Sequence, residues 1–561
     1  MTLDEVVPAI DEAERLARDG RWLVGFVSYD ASPAFDSALV AAHDETLPFA
    51  WFAAFDAPEA NDDLVSTSVE IGGELVAETT IADSEHAAHV ACIRDYIAAG
   101  DVYQVNLTIP FTAASPRSPR ETYELMRAAQ GGSYSAFLDL GDAQIMSASP
   151  ELFLERVGSR LRSKPMKGTS RRGLHSAADA RARDALRGSD KERAENVMIV
   201  DVVRNDLGRV GRVGSVNVPT LCDTERFPSV WQLTSTVIAE VEPGVSLSGL
   251  FGALFPAASI TGAPKIRATA IIAELEQRPR GAYCGAIGII RPGGDATFNV
   301  AIRTASTIDD GRTLRLDAGG GITIDSTATG ELAELRAKIS AFTAPGPVPA
   351  LFETIRVERG RPLRMERHLA RIEASARYFD IPFDRRVARD ALLHAANGAS
   401  DQLVARGRLV LEPAGTISVT IEPFSDASIA EPRVVGIARS PVLRDDVMLY
   451  HKTTSRALYD AAMTERVPAG APHRFDVLLW NESRQATELT RGNLVAEFGG
   501  TRWTPPVECG LLPGTLRAEL LERGELHERI LSLDDVVGAN RLWFINSLRG
   551  WVPIVLADVS P

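Results

Sequence analysis

A single lysine stands between a methionine and a glycine in SKPMKGTSRRG, residues 163–173. An amine serves as base or nucleophile only when a partly dry pocket strips its proton. Read alone, Lys167 lies in a stretch too rich in turn residues for a helix, and a solvated charge on a surface loop is the plain expectation. Two other stretches carry paired acids. GSDKERAENVMIVDVVRNDLGRVG holds Glu192 and Glu195, and TATGELAELRAKISAF holds Glu331, Glu334 and Lys338. Residues three or four apart share one side of a helix, so each pair would project together. Four converging carboxylates would suit a hard divalent cation that keeps some of its waters, which describes Mg²⁺. Each pair also has a plainer use. Ser189 with Glu192 is a capping-box pattern, and acids in a first turn favour the helix dipole. Spacing does not bring the two helices together.

The elements that must position these groups follow from periodicity. Helices are expected over roughly 189–207, 264–276 and 330–342. In the first, Val197, Met198 and Val202 can face a core; in the last, Leu332, Leu335, Ile339 and Phe342 form an apolar stripe. WLVGFVSYD, YSAFLDLG, AQIMSASPELFLERVG and CGAIGIIRP read as strands. They cluster without a steady βαβ alternation, which favours an α+β fold. The clearest seam is FTAPGPVPALF, three prolines and a glycine between a helical pattern and a strand pattern. It puts a linker at 344–349, between a first half of 1–343 and a second of 350–561. The second half again mixes strands (RLVLEPAGTISVTIEPF) with helices (RMERHLARIEASARYF).

Bulk properties set limits. A chain of 561 residues outgrows a single core, and 45% apolar with 24% charged residues is ordinary globular composition. A net charge of −15 argues against nucleic acid or an anionic membrane as partner, although a pocket with a few local cations can still take a small anion. Cys92, Cys222, Cys284 and Cys509 are far apart and show no C-x-x-C spacing, so a reducing cytoplasm is expected. The opening MTLDEVVPAIDEAERLARDG is acidic and amphipathic, and no run approaches 18 apolar residues, so neither export nor membrane spanning is expected.

Eight stretches occur in a telling order: GDVYQVNLT, SASPELFL, KPMKGTSRRG, ERAENVMIVDVVRNDLGRVG, SITGAPKIRA, YCGAIG, FNVAIRT and GGGITIDSTATGELAELRAK. Together they resemble the chorismate-utilising enzymes, a group with anthranilate, aminodeoxychorismate, isochorismate and salicylate synthases. The resemblance covers nearly all of residues 90–342, and residues 1–80 resemble the family's more variable N-terminal part. It implies an antiparallel β-sandwich with surrounding helices, chorismate as substrate, and Mg²⁺ holding the ring carboxylate. Glu195 and Glu334 match the principal metal ligands, and Glu192 and Glu331 their water-mediated helpers. Tyr283 and Arg303, helped by backbone amides of Gly319, Gly320 and Gly321, match residues that hold the enolpyruvyl carboxylate. Thr261 and Lys338 are carried to the substrate site as well. WQLTSTV departs from the histidine-bearing form of its segment, and Gln232 there can hydrogen-bond a hydroxyl but cannot serve as a general acid. Anthranilate-forming members usually have alanine where Lys167 stands. In aminodeoxychorismate synthases the matching lysine attacks C2 of the ring as the C4 hydroxyl leaves, and ammonia then adds at C4 and expels it.

LFETIRVERGRPLRMERHLARIEASARYF, YHKTTSRALYDAA, QATELTRGNLV, CGLLPGTLR and FINSLRG, over about 350–555, resemble the two-lobed fold-type IV pyridoxal-phosphate enzymes. By that resemblance Lys452 carries pyridoxal 5′-phosphate and moves the substrate proton, while Glu488 faces the pyridine nitrogen. Arg371, Gly514 and Thr515 hold the phosphate, and Asn493 lies nearby. Such relatives commonly dimerise around the cofactor, which leaves a homodimer through this half open. The two halves together imply amination of chorismate to 4-amino-4-deoxychorismate, then elimination of pyruvate to give 4-aminobenzoate for folate synthesis. No G-x-C-x-G loop with a downstream His-x-Glu is visible, so ammonia is expected from a separate glutamine amidotransferase subunit, and Cys284 is expected to be structural. Two rivals stand beside this reading: anthranilate or isochorismate formation joined to an aminotransferase, and a regulatory scaffold that only binds chorismate.

Overall fold

Alternating apolar residues make Gln104–Ala114 a strand, with Val105, Leu107, Ile109, Phe111 and Ala113 all buried. It belongs to a computed structural model that describes residues 1–43, 46–59, 76–308, 311–340, 342, 348–398, 403–425, 432–466 and 474–557. The chain divides into two units, Met1–Arg172 with Arg181–Pro347, and Gly173–Ala180 with Val348–Pro561. Residues 344–347 of the expected linker lie outside the described residues, and Val348 and Pro349 have no regular structure. A seam at 344–349 gave no hint that residues 173–180 group with the second unit.

Among the described residues the first unit has two antiparallel sheets. One runs in the order Asn217–Arg226, Val230–Glu240, Arg160–Lys164, Leu152–Val157, Ala296–Val300, Ala286–Ile290, Trp22–Val27, Ala50–Phe55, with Met166–Arg171 also paired to Val230–Glu240. The other runs Gly262–Ala263, Gln104–Ala114, Thr313–Ile322, Thr304–Ile308, Gln144–Ser149, Tyr134–Asp139. Phe26 and Ile287 of the first sheet meet Leu138 and Ile145 of the second in one apolar cluster, as the inner faces of a sandwich do. The stretch around Lys167 is therefore no surface loop: Met166–Arg171 is a strand.

The three expected helices form as Asp190–Gly208, Lys265–Glu276 and Ala328–Ser340. Ile199, Val200, Val203 and Leu207 bury the first, while Met198 and Val202 only flank that core and Val197 is not part of it. Leu335, Ile339 and Phe342 are buried as expected, whereas Leu332 is not among the buried residues. Among the described residues no helix is long and apolar enough to cross a membrane.

The second unit has two lobes. A four-stranded antiparallel sheet (Arg361–Pro362, Leu351–Glu358, Val404–Leu411, Ile417–Pro423) packs one face on helices Met365–Tyr378 and Arg385–Asn397 through Leu351, Leu369, Ile372, Ala388 and Leu409. The larger sheet runs Ala486–Leu489, Arg474–Trp480, Arg433–Ile437, Gly550–Leu556, Arg541–Asn546, Gly492–Phe498, Thr501–Thr504, His527–Glu528 and mixes parallel with antiparallel pairs. The short segment 173–180 joins this unit locally: Leu174 packs on the larger sheet's core, the His175 ring stacks 5.7 Å from that of Tyr450, and Ser176 Oγ donates to the Ala374 carbonyl at 3.3 Å.

Candidate active sites

The strand Met166–Arg171 sets Lys167 into the wall of a cavity of about 170 Å³. The same cavity is lined by Glu192, Glu195, Glu331, Glu334 and Lys338 from the two helices. Gln232, Tyr283, Arg303, Gly319, Gly320 and Gly321 complete the set that the sequence put forward. Thr261 is the exception. It is fully buried, its hydroxyl donates to the Ala257 carbonyl at 3.0 Å, and it does not reach the cavity.

Local backbone explains the convergence. Ser189 caps its helix by accepting the Glu192 N–H at 3.3 Å, but Glu192 does not return the favour. Its carboxylate turns to the cavity and accepts the backbone N–H of Thr169. The half-made capping box thus frees an acid for the site. At Gly321 a Cβ would fall 2.8 Å from Gln104 Nε2 and 2.9 Å from Lys167 Nζ, so an added methyl would have to displace the Gln104 amide and the amine itself.

Charges in the cavity shift one another. Burial, with Lys338 beside it, pushes the Lys167 amine below its ordinary value. Burial raises the carboxyls of Glu192, Glu195 and Glu331. It raises Glu334 too, but Lys338 at 2.5 Å, Lys167 and Arg303 outweigh burial and leave that carboxyl lowered. Lys338 also donates to the Gly319 carbonyl at 2.8 Å. Arg303 donates to the Lys338 carbonyl at 3.4 Å and, although it feels the Glu334 charge, makes no direct ion pair among the described residues, which suits it to an incoming anion. As placed, no three His, Cys, Asp or Glu side chains among the described residues close on a common ligand point.

Sequence reasoning passed over Glu151. It lies in the quoted SASPELFL, is 2% exposed, and lines the cavity with Lys167. Burial pushes its carboxyl up to about 7 against the pull of Ser259 and Lys167. Nothing in its spacing marked it; the signal is only its place at the end of a strand run.

The second unit holds another cavity, of about 300 Å³, lined by Lys452, Glu488, Asn493, Arg371, Gly514 and Thr515. All six residues proposed for the cofactor come together there. Burial and the neighbouring Arg371 push the Lys452 amine down to about 8. Its Nζ lies 4.6 Å from the centre of the Phe352 ring. Burial pushes the Glu488 carboxyl up to about 8, while Tyr459 donates to it at 3.1 Å and Asn493 at 3.5 Å. Asn493 is fixed in turn by donating to the Leu512 carbonyl at 2.9 Å. At Gly514, N-cap of helix Thr515–Glu522, a Cβ would fall 2.0 Å from Asn493 Oδ1.

Two residues here escaped the sequence reading. Glu353 accepts from Arg371 at 2.8 and 2.6 Å and faces His368 Nδ1 at 2.7 Å, with Glu353 and His368 buried and Arg371 partly so. Burial raises the Glu353 carboxyl, but Arg371 and His368 outweigh it and hold the group down to about 2. His368 continues the chain to Ser547 Oγ at 2.9 Å and Thr515 Oγ1 at 3.3 Å. Tyr459, seven positions past Lys452, is the other. A glutamate on a strand and a tyrosine on a helix are common enough that only the packing singles them out.

Two sheets in a sandwich around a lysine- and glutamate-lined cavity define a chorismate-type enzyme domain, and residues 3–344 match the family model of chorismate binding enzymes. The chain belongs to that family. Residues 350–557 match the model of class IV amino-transferases, a type of domain that implies pyridoxal phosphate. Among individual proteins, the chain is 36% identical over 308 residues to aminodeoxychorismate synthase component 1 of Salmonella typhimurium, covering 55% of this chain and 66% of that protein. It is 34% identical over 367 residues to anthranilate synthase component 1 of Streptomyces coelicolor, covering 57% and 71%. A crystal structure of anthranilate synthase component I from Streptococcus pneumoniae superposes with a TM-score of 0.51 at 27% identity, covering 60% of this chain and 85% of that one. Other aminodeoxychorismate synthase relatives, from Klebsiella aerogenes and Escherichia coli, are matched over about half their length, 54% in each.

Proposed function

We propose that the chain makes 4-aminobenzoate in two steps. The first unit aminates chorismate to 4-amino-4-deoxychorismate with ammonia, and the second eliminates pyruvate from that product. One observation carries the reading: Lys167, beside four glutamates in one unit, shares a chain with Lys452 facing Glu488 in the other. An isochorismate or anthranilate synthase has no evident use for the second cavity.

The residues suit the chemistry. Lys167, held below its ordinary pKa by burial, gives up its proton more readily than an exposed lysine and can then attack the ring. Glu151, holding its proton up to about 7, can exchange one beside it. Arg303 and the N–H groups of the 319–321 backbone can take a substrate carboxylate. The donor set fits Mg²⁺, because three partly buried carboxyls that line one cavity are raised above their ordinary value and a hard cation would relieve them. Glu195 and Glu334 would hold it, with Glu192 and Glu331 through water. Bound there, the ion would neutralise a substrate carboxylate.

In the second unit, Arg371, Gly514 and Thr515 would hold the phosphate of pyridoxal phosphate. When bound, that cofactor supplies an electron sink for proton loss next to the substrate amine. Lys452, down to about 8, moves that proton; Glu488, protonated up to about 8, meets the ring nitrogen. Ammonia would come from a separate glutamine amidotransferase subunit, and the compartment we infer is the cytoplasm, supported by four free cysteines. Dimerisation through the second unit belongs to the same reading, and light scattering tests it.

The deciding experiment is mass spectrometry after incubation with chorismate, Mg²⁺ and ammonium, with and without pyridoxal phosphate. We expect 4-aminobenzoate with the cofactor and its aminated precursor without it. Anthranilate as product would overturn the reading.

A further inference from the structure

The cofactor cavity of the second unit is lined by more guanidinium groups than a phosphate requires, and most are already engaged. Arg371 is held bidentately by Glu353, and Arg406 is paired with Glu422. Arg491 meets Asp476 at 3.1 Å, and Arg456 donates to the Thr490 carbonyl at 2.8 Å. Arg408 differs. Among the described residues its guanidinium has neither a hydrogen bond nor a carboxylate, and it lies 4.5 Å from the centre of the Phe352 ring. The ring that carries Arg408 is the one that Lys452 Nζ overhangs at 4.6 Å.

The ladder explains why the two cations share a ring. Arg408 pairs directly with Thr354, and Phe352 lies two positions from Thr354 on the same strand. Opposed residues and those two apart face the same side of a sheet, so Phe352, Thr354 and Arg408 form one wall, and all three line the cavity. The opposite face of this sheet is taken by the helices. Stacking on an aromatic ring fixes the plane of a guanidinium and leaves its N–H edge for a planar anion.

We infer that Arg408 binds the ring carboxylate of the substrate and selects for it. The inference rests on the lyase reading of the second unit. In 4-amino-4-deoxychorismate the amine and the ring carboxylate stand on opposite ends of a six-membered ring. An amine brought to Lys452 therefore carries a carboxylate at the far end of its ring, and a guanidinium on the same cavity lining can meet it with a bidentate contact. The product 4-aminobenzoate keeps both groups, so it makes the same contact, whereas aniline lacks the carboxylate.

The test uses the full chain loaded with pyridoxal phosphate and compares wild type, Arg408→Gln and Arg408→Lys. With 4-amino-4-deoxychorismate supplied, Arg408→Gln should raise KM at least tenfold with kcat within about threefold, and Arg408→Lys should recover part of the loss. Inhibition by 4-aminobenzoate should weaken by a similar factor, and inhibition by aniline should not change. The cofactor absorption spectrum and cofactor affinity should match wild type. Unchanged KM and unchanged 4-aminobenzoate inhibition would overturn the inference, as would a loss confined to cofactor affinity. If wild type fails to turn over the substrate, the lyase reading falls instead, and 4-aminobenzoate binding still reports on Arg408.

Discussion

Lys167 and Lys452 are chemically the same side chain, and in each burial and a second cation lower the pKa of the amine: Lys338 for the first, Arg371 for the second. Lys167→Ala should lower amination of chorismate by at least a hundredfold while pyruvate release from supplied 4-amino-4-deoxychorismate is retained. Separate assays of the two half-reactions check this. Gly321→Ala tests the position of the same amine. Its added methyl meets Gln104 and Lys167 Nζ, so amination should drop more than tenfold with little change in melting temperature. For Lys452 the sign is set by a value lowered to about 8: the amine is protonated below that pH and free above it. Covalent uptake of pyridoxal phosphate by the cofactor-free chain should therefore quicken as pH rises through about 8, read from absorbance after mixing. At this scale the sequence showed which residues would share a cavity where several stretches resemble a family in order, as with Lys167, the four glutamates and Lys452. It was opaque at Glu151 and Glu353, since nothing in a strand run says which acid faces a cavity, and it misled at Thr261, whose hydroxyl serves its own turn.

At the scale of elements, each site depends on helices that supply polar groups from one side while another side enters a core: Asp190–Gly208 and Ala328–Ser340 at the first, Met365–Tyr378 at the second. Spacing predicted three helices of the first half within a few residues, two of which reach its cavity, because caps and apolar stripes are local signals. It could not place Met166–Arg171, where pairing with Val230–Glu240 overrides the turn-forming residues. The buried chain Arg371–Glu353–His368 ties helix Met365–Tyr378 to strand Leu351–Glu358. Glu353→Gln removes the charge that balances Arg371 in the interior, and a loss of about 3–5 kcal/mol is expected, measured as denaturant unfolding of the second unit. The same carboxyl sets an acid limit. Its folded value of about 2 lies below the ordinary 4.5, so its stabilisation is complete above about 4.5 and is lost as pH falls towards 2. A wild-type melting temperature that falls over that window, with a shallower fall in Glu353→Gln, is the expected outcome.

For the whole molecule, composition and the proline-rich seam pointed to two domains, and the chain divides into two compact units. They could not announce a discontinuous second unit, since packing of 173–180 against residues hundreds of positions away leaves no periodic trace. The supply of ammonia also belongs to this scale. Purified chain given glutamine alone should be inactive, and ammonium salts should restore turnover, measured as 4-aminobenzoate formed.

That excursion has a practical result for anyone dissecting the fusion. Scissors applied once, at the prolines, return a downstream fragment deprived of Leu174, His175 and Ser176, three native neighbours of its own interior and helix. A fragment starting at residue 348 should melt below the corresponding transition of the intact chain, and adding a peptide of 173–180 in trans should recover part of the difference.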